Sequence, residues 1–201
     1  MLLWKLKRDV SVSGGTMELN QQIIDKATEL FNQKGLRFTL DEISEQLHIS
    51  KKTIYVYFRC KEDLLMTMAD QVFASIQNRK RQIIAEEMPY EDKLKKMLVA
   101  LPDEYLNIDF RKLEGLEEKY PAVYERVRNY LETGWDPVIE LIRQGQKQGI
   151  LKKFSIPVLQ TMVSSSIRSF INDGILESND INYTEALDSM VEIIINGIKE
   201  R

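Results

Sequence analysis

Thr39-Leu40-Asp41-Glu42-Ile43-Ser44-Glu45-Gln46-Leu47-His48-Ile49-Ser50-Lys51-Lys52-Thr53-Ile54-Tyr55-Val56-Tyr57-Phe58 reads as a helix, a tight turn and a second helix. Thr39 and Glu42 have the spacing of a capping box, in which the hydroxyl and the carboxylate satisfy amides at a helix start. The helix that begins there runs to about Leu47 and buries Leu40, Ile43 and Leu47. His48-Ile49-Ser50 makes the turn, and Ser50 caps a short helix from Lys51 to about Phe58. Ile54 and Phe58 continue the apolar stripe and face Ile43 and Leu47. This arrangement lays its second helix into the major groove of DNA. The shape also occurs in proteins that never meet DNA, and a lysine pair also serves as a plain solvated face. Three features favour DNA. Lys51, Lys52, Arg59 and Lys61 form a cationic island with no acid between His48 and Lys61, Thr53, Tyr55 and Tyr57 are interleaved with it, and Asp41, Glu42 and Glu45 stay on the preceding helix. Each suits an edge that meets phosphate.

On the N-terminal side, Ile23, Ala27, Leu30 and Phe31 make one apolar stripe, and Gly35 supplies a left-handed stop. Residues 1–16 read as a disordered leader, too broken for a secretory signal. Ser13-Gly14-Gly15 is expected to interrupt any helix before Met17, which makes Met17 a candidate working start. On the C-terminal side, Lys61 opens a helical pattern (Leu65, Met68, Val72, Phe73, Ile76, Ile83) that lasts until Pro89, roughly 40 Å of helix. Further helices are expected near 90–101, 103–118, 121–147, 155–173 and 183–199, with a break at Gly134 and Pro137 because proline donates no amide. The fold class is all-α, about nine helices: a DNA-binding domain at 17–60 with its motif at 39–58, and a helical domain at 61–201.

The whole chain has 201 residues, 43% of them hydrophobic and 29% charged, with a formal net charge of -3. That is the profile of a soluble chain of one or two domains. No apolar run approaches the ~20 residues a bilayer requires, so no membrane span is expected and the chain reads as cytoplasmic. Cys60 is the one cysteine and His48 the one histidine, which leaves no disulfide, no thiolate zinc site and little scope for histidine catalysis. No enzyme activity, metal or cofactor is expected. Residues 1–88 carry thirteen Lys/Arg against twelve Asp/Glu, and 89–201 fifteen against nineteen, so the cationic island sits in an otherwise acidic chain and calls for an anionic partner.

The stretch from Thr39 to Phe58, followed by Lys61-Glu62-Asp63-Leu64-Leu65, closely resembles the N-terminal signature of the TetR (tetracycline-repressor-like) family. The pattern T-x-x-x-I-A-x-x-x-G-V-S-x-x-T-x-Y-x-Y-F-x-x-K-x-x-L is matched at most positions without a gap. The resemblance covers about residues 17–65 and beyond them extends only to the helix layout, including Gly145–Gly149 before the last helix pair. It implies that Lys51, Lys52, Thr53, Tyr55 and Val56 face the major groove, with Thr39, Tyr57 and Lys61 on the phosphate backbone. Lysines donate to guanine or phosphate, Thr53 serves either role, and Val56 suits a thymine methyl. For Tyr55 and Tyr57, aromatic packing at the domain surface is the alternative. His48 stands where the family has glycine and Ser44 where it has alanine. Histidine tolerates positive φ better than most side chains, so the turn survives. Cys60 replaces a usual capping residue of the fourth helix. As a redox sensor it lacks a resolving thiol, and His48 reads as a turn residue rather than a pH switch.

The family resemblance further implies a homodimer on a pseudo-palindromic double-stranded operator, with repression relieved by a small-molecule effector. In the larger domain, Tyr105, Phe110, Tyr130, Trp135, Met162, Ser165, Ser166 and Phe170 are candidates for lining an effector cavity, although aromatic and methionine stripes at helical spacing more often build core. The last two helices are apolar over more than one face, through Leu159, Met162, Val163, Ile167, Phe170 and Ile171 and then Ala186, Leu187, Met190, Val191 and Ile193–Ile195. Either deep burial or a symmetric dimer interface accommodates so wide an arc, and the dimer, with Ile194 inside it, is the favoured expectation. An effector between the helices of the larger domain would swing the fourth helix and alter the spacing of the two recognition helices. The rival reading is a DNA-bound scaffold regulated by a protein partner.

Overall fold

The computed structural model describes residues 14–102, 105, 110–172 and 174–200. They form α1 (Gly14–Lys34), α2 (Leu40–Gln46), α3 (Lys51–Tyr57), α4 (Lys61–Ala85), α5 (Tyr90–Leu98), α6 (Leu116–Lys119), α7 (Pro121–Glu132), α8 (Asp136–Lys147), α9 (Ile156–Asn172), α10 (Ile175–Ser178) and α11 (Tyr183–Ile198). Three-ten turns occupy Gly35–Arg37 and Phe110–Leu113. The fold is all-α. Among the described residues the sole extended pairing is an isolated bridge between Leu151 and Lys199. None of the described helices is long and apolar enough to cross a membrane.

The chain divides into two compact units, one up to Leu64 and one from Leu65. In the first, Ile23, Ala27 and Leu30 of α1 are fully buried together with Phe38, Ile43 of α2, Ile54 of α3 and Leu64 of α4. Burying a large apolar side chain contributes about 1.5–3 kcal/mol, and here it fixes α2 and α3, each too brief to persist alone in water. Leu40 and Leu47, expected inside, are half-buried. Gly35 ends α1 in the left-handed region, φ 59°. Helix α1 starts at Gly14, so the Gly14-Gly15 pair does not hold the helix back to Met17 as expected. Most of the leader, residues 1–13, lies outside the described residues.

The second unit gathers Ile83 from α4, Leu94, Met97 and Leu98 from α5, Trp135, Val138 and Ile142 around α8, Leu159 and Val163 from α9, and Val191, Ile194 and Ile195 from α11. The expected break in 121–147 falls at Gly134, φ 71°, with Pro137 in the first turn of α8. The single helix expected over 103–118 is not found. Its described part is a three-ten turn, a left-handed Gly115 at φ 76° and the short α6, because a positive φ cannot be carried through a helix. The stretch from Gly174 to Asp180, expected as a break, encloses the four-residue α10 between two left-handed residues. Helix α11 is capped by Asn182, whose Oδ1 accepts from the Glu185 amide at 2.8 Å. Its wide apolar arc divides in two: Ala186, Leu187, Val191, Ile194 and Ile195 are buried within the unit, while Ile193 is 74% exposed. Ile194 is therefore core and not the outward residue that the sequence pattern suggested.

Candidate nucleic-acid interface

The capping box is complete. The Glu42 amide donates to Thr39 Oγ1 at 3.2 Å and the Thr39 amide to Glu42 Oε2 at 2.8 Å. The Glu42 carboxylate also pairs with Lys34 of α1, and the Lys34 and Thr39 donors hold its pKa below the ordinary glutamate value. Ser50 caps α3, its Oγ accepting from the Thr53 amide at 3.1 Å. Between them His48 takes φ 54°, the left-handed geometry that a glycine would adopt more readily. Ser44 is buried and satisfies its own hydroxyl by donating to the Asp41 carbonyl at 2.8 Å, which is why a hydroxyl fits where a methyl is usual. At the start of α4 the missing Cys60 cap is replaced from the other direction: Asp63 Oδ2 accepts from the Arg59 amide at 3.2 Å. Cys60 itself is exposed.

Helix α3 is amphipathic across its short length. Ile54 and Phe58 point into the unit, and Lys51, Lys52, Tyr55 and Val56 form the outward face, with Tyr55 53% and Val56 74% exposed. An exposed tyrosine and valine beside two lysines is a surface that offers donors, a ring and a methyl-sized contact together, as base edges require. Thr53 and Tyr57 flank this face half-buried, and Thr39 is exposed at the start of α2. Lys61 is placed differently from the phosphate contact implied for it. Its Nζ donates to the carbonyl oxygens of Leu36 at 2.5 Å and of Phe38, and stands 4.1 Å from the Phe38 ring centroid. Its ammonium thus braces the α1–α2 connection. Lys51 is also engaged: its Nζ lies 2.6 Å from Asp41 Oδ2 of α2, and that carboxylate raises the lysine pKa. The Lys51–Asp41 pair is absent from the sequence reading, since ten intervening residues and a turn separate partners that no helical period links.

The eight residues considered for an effector cavity are spread over several elements of the second unit. Tyr130 donates to Asp70 Oδ1 at 3.0 Å and stacks on Phe73 with centroids 4.4 Å apart. Trp135 is buried and its Nε1 donates to the Leu131 carbonyl, which also accepts from the buried Ser164. Met162 is 55% exposed on α9. Ser165 accepts from Arg168, and Ser166 donates to the Met162 carbonyl. Tyr105 and Phe170 are half-buried, and the Phe110 side chain lies outside the described residues. A cleft of about 360 Å³ does exist in the second unit, between the end of α4, the end of α5 and α11, with Ile83, Ala100 and Val191 below and Arg79, Lys95 and Asp188 at its edge. None of the eight lines it.

Residues 23–68 match the family described as bacterial regulatory proteins, tetR family. The chain is 23% identical over 181 residues to the helix-turn-helix-type transcriptional regulator YvaF of Bacillus subtilis, covering 90% of this chain and 95% of that one. It is 21% identical over 187 residues to the fatty acid metabolism regulator protein of the same organism, covering 90% and 95%. Among solved structures, the B. subtilis regulator FadR in complex with stearoyl-CoA superposes with a TM-score of 0.64 at 20% identity, over 89% of this chain and 98% of that chain. The reduced form of E. coli NemR gives 0.67 at 15% identity, over 92% and 98%. These two likenesses speak for the fold. The signature around α2 and α3 lies inside the matched segment, so residues 23–68 carry the DNA-binding helix-turn-helix of the tetR family of bacterial regulatory proteins, and over most of its length the chain is similar to regulators of transcription.

Proposed function

We propose that the protein is a ligand-responsive repressor that binds a pseudo-palindromic operator as a homodimer. The observation that carries this reading is the outward face of α3, where Lys51, Lys52, Tyr55 and Val56 stand free of the unit's core. Two copies of such a helix, related by a dimer axis, read half-sites one helical turn or a multiple apart. Dimerisation is supported by Val158 and Met162 on α9 and Ile193 on α11, large apolar side chains left exposed on the last two long helices. An effector bound in the second unit acts on DNA affinity through α4, whose first turn belongs to the first unit and whose remainder belongs to the second. It shifts the equilibrium only by its differential affinity for the two forms. The stearoyl-CoA complex of FadR makes a long-chain acyl thioester of coenzyme A the effector class to try first.

The test is a titration of the purified protein against a duplex selected from a randomised pool and a scrambled duplex of equal length, with and without stearoyl-CoA. We expect preference for the selected duplex, two chains per site, and release on adding the thioester. Equal affinity for both duplexes would remove the sequence-specific reading. Selective binding indifferent to the thioester would remove the effector class.

A further inference from the structure

Of the four cations between His48 and Lys61, two are engaged within the first unit. Lys61 is held by the Leu36 and Phe38 carbonyls, and Lys51 by the Asp41 carboxylate at 2.6 Å. Lys52 and the Arg59 guanidinium are left without a partner among the described residues. The Lys51–Asp41 pair is accessible, with the two side chains 60% and 50% exposed. A pair this open contributes little to stability, about 0–1 kcal/mol. Its position matters more. Lys51 is the first residue of α3, the end of a recognition helix that meets base edges, and Asp41 is in the first turn of the preceding helix.

We propose that Asp41 is a specificity-determining residue: it occupies Lys51 in the manner of a phosphate and so withholds one cation from nonspecific DNA. The inference rests on the assignment of the α3 face to DNA. Nonspecific binding is an electrostatic count, in which each lysine that replaces a condensed counterion adds about 0.9 to the slope of log K against log salt. A phosphate that recruits Lys51 must first displace a carboxylate of like charge, so the exchange gains little. A cognate site differs, because it brings groove acceptors to the N-terminal end of α3, where a lysine gains directional hydrogen bonds to guanine O6 and N7 that the carboxylate does not supply. The carboxylate thereby suppresses the background and leaves the selective complex comparatively untouched.

The experiment compares the full chain with Asp41→Asn, Lys51→Ala and the double variant, each checked for helical content by circular dichroism. Affinity is measured for the selected and the scrambled duplex across a salt series. In Asp41→Asn we expect tighter binding to the scrambled duplex, a slope steeper by about 0.9, and a lower ratio of selected to scrambled affinity. In the double variant these changes vanish, since without Lys51 there is no cation to release; a merely structural effect of the amide would persist. An unchanged slope and ratio in Asp41→Asn, while Lys51→Ala weakens binding, overturns the inference and leaves the DNA face standing. Unchanged binding in Lys51→Ala as well overturns both.

Discussion

The hydroxyl of Tyr90, at the start of α5, occupies the space that a side chain at position 145 of α8 would need. A Cβ built on Gly145 would lie 2.1 Å from Tyr90 Oη, and the hydroxyl uses that approach to donate to the Leu141 carbonyl at 2.7 Å. Burial pushes the tyrosine pKa up to about 12. Gly145→Ala should therefore overpack the α5–α8 contact and cost about 1–3 kcal/mol in urea unfolding. Tyr90→Leu in the alanine background should recover part of the loss, because it removes both the hydroxyl and the ring carbon Cζ, which would lie 2.6 Å from the new Cβ. No destabilisation by Gly145→Ala would show that the two helices separate freely.

His48 offers the opposite case, a side chain where the backbone favours none. Its φ of 54° makes His48→Gly a stabilising change of up to about 1 kcal/mol, offset in part by the greater freedom of glycine in the unfolded chain. His48→Val should destabilise, because a β-branched residue at positive φ is more strained. The order Gly, His, Val in midpoint denaturant concentration is the outcome to check.

Lys52 is the lysine of the α3 face with no partner among the described residues. Lys52→Ala should lower affinity by about 1–3 kcal/mol on the selected duplex alone if the ammonium meets a base, or flatten the salt slope by about one on every duplex if it meets a phosphate. A variant that binds both duplexes like the parent at all salt concentrations would take Lys52 out of the interface.

On α11, adjacent isoleucines should respond differently. Ile193 is 74% exposed and Ile194 8% exposed. Ile193→Lys should leave a folded chain that sediments as a monomer, while Ile194→Lys should unfold the second unit, since an unpaired charge in an apolar core costs several kcal/mol. A dimeric Ile193→Lys variant would move the proposed interface elsewhere.

Lys80 lies on the α4 face that also carries Ile76 and Ile83, and its Nζ donates to the Gly134 carbonyl at 3.3 Å. Burial lowers its pKa from 10.5 to about 8. Between those values the unfolded chain holds a proton that the folded chain has released, so folding stability rises with pH across that window. Lys80→Met should be more stable than the parent at pH 7, with the gap narrowing as pH climbs from about 8 towards 10.5. A pH-independent difference between the two chains would contradict the buried ammonium.

The DNA-binding unit was legible because its determinants are local. A hydroxyl three residues before a glutamate, a serine before two lysines and a glycine after an apolar stripe each act on the backbone within one turn, and all appear in the structure as caps or stops. The inward sense of Ile54 and Phe58 followed from the apolar stripe, and the outward sense of Lys52, Tyr55 and Val56 is the one that the family resemblance implied. What the sequence could not place were contacts made across helices. Lys61 turns to the carbonyls of Leu36 and Phe38, and Lys51 to Asp41, because packing α2 and α4 against their neighbours brings those acceptors within reach. In the second unit the period of α11 marked an apolar arc without saying which isoleucine its neighbours would cover. Local backbone chemistry, read in order along the chain, decided the helix-turn-helix, whereas the burial of Ile194, the exposure of Met162 and Ile193 and the pairing of Lys51 were decided by tertiary packing, which compares residues that no local period relates.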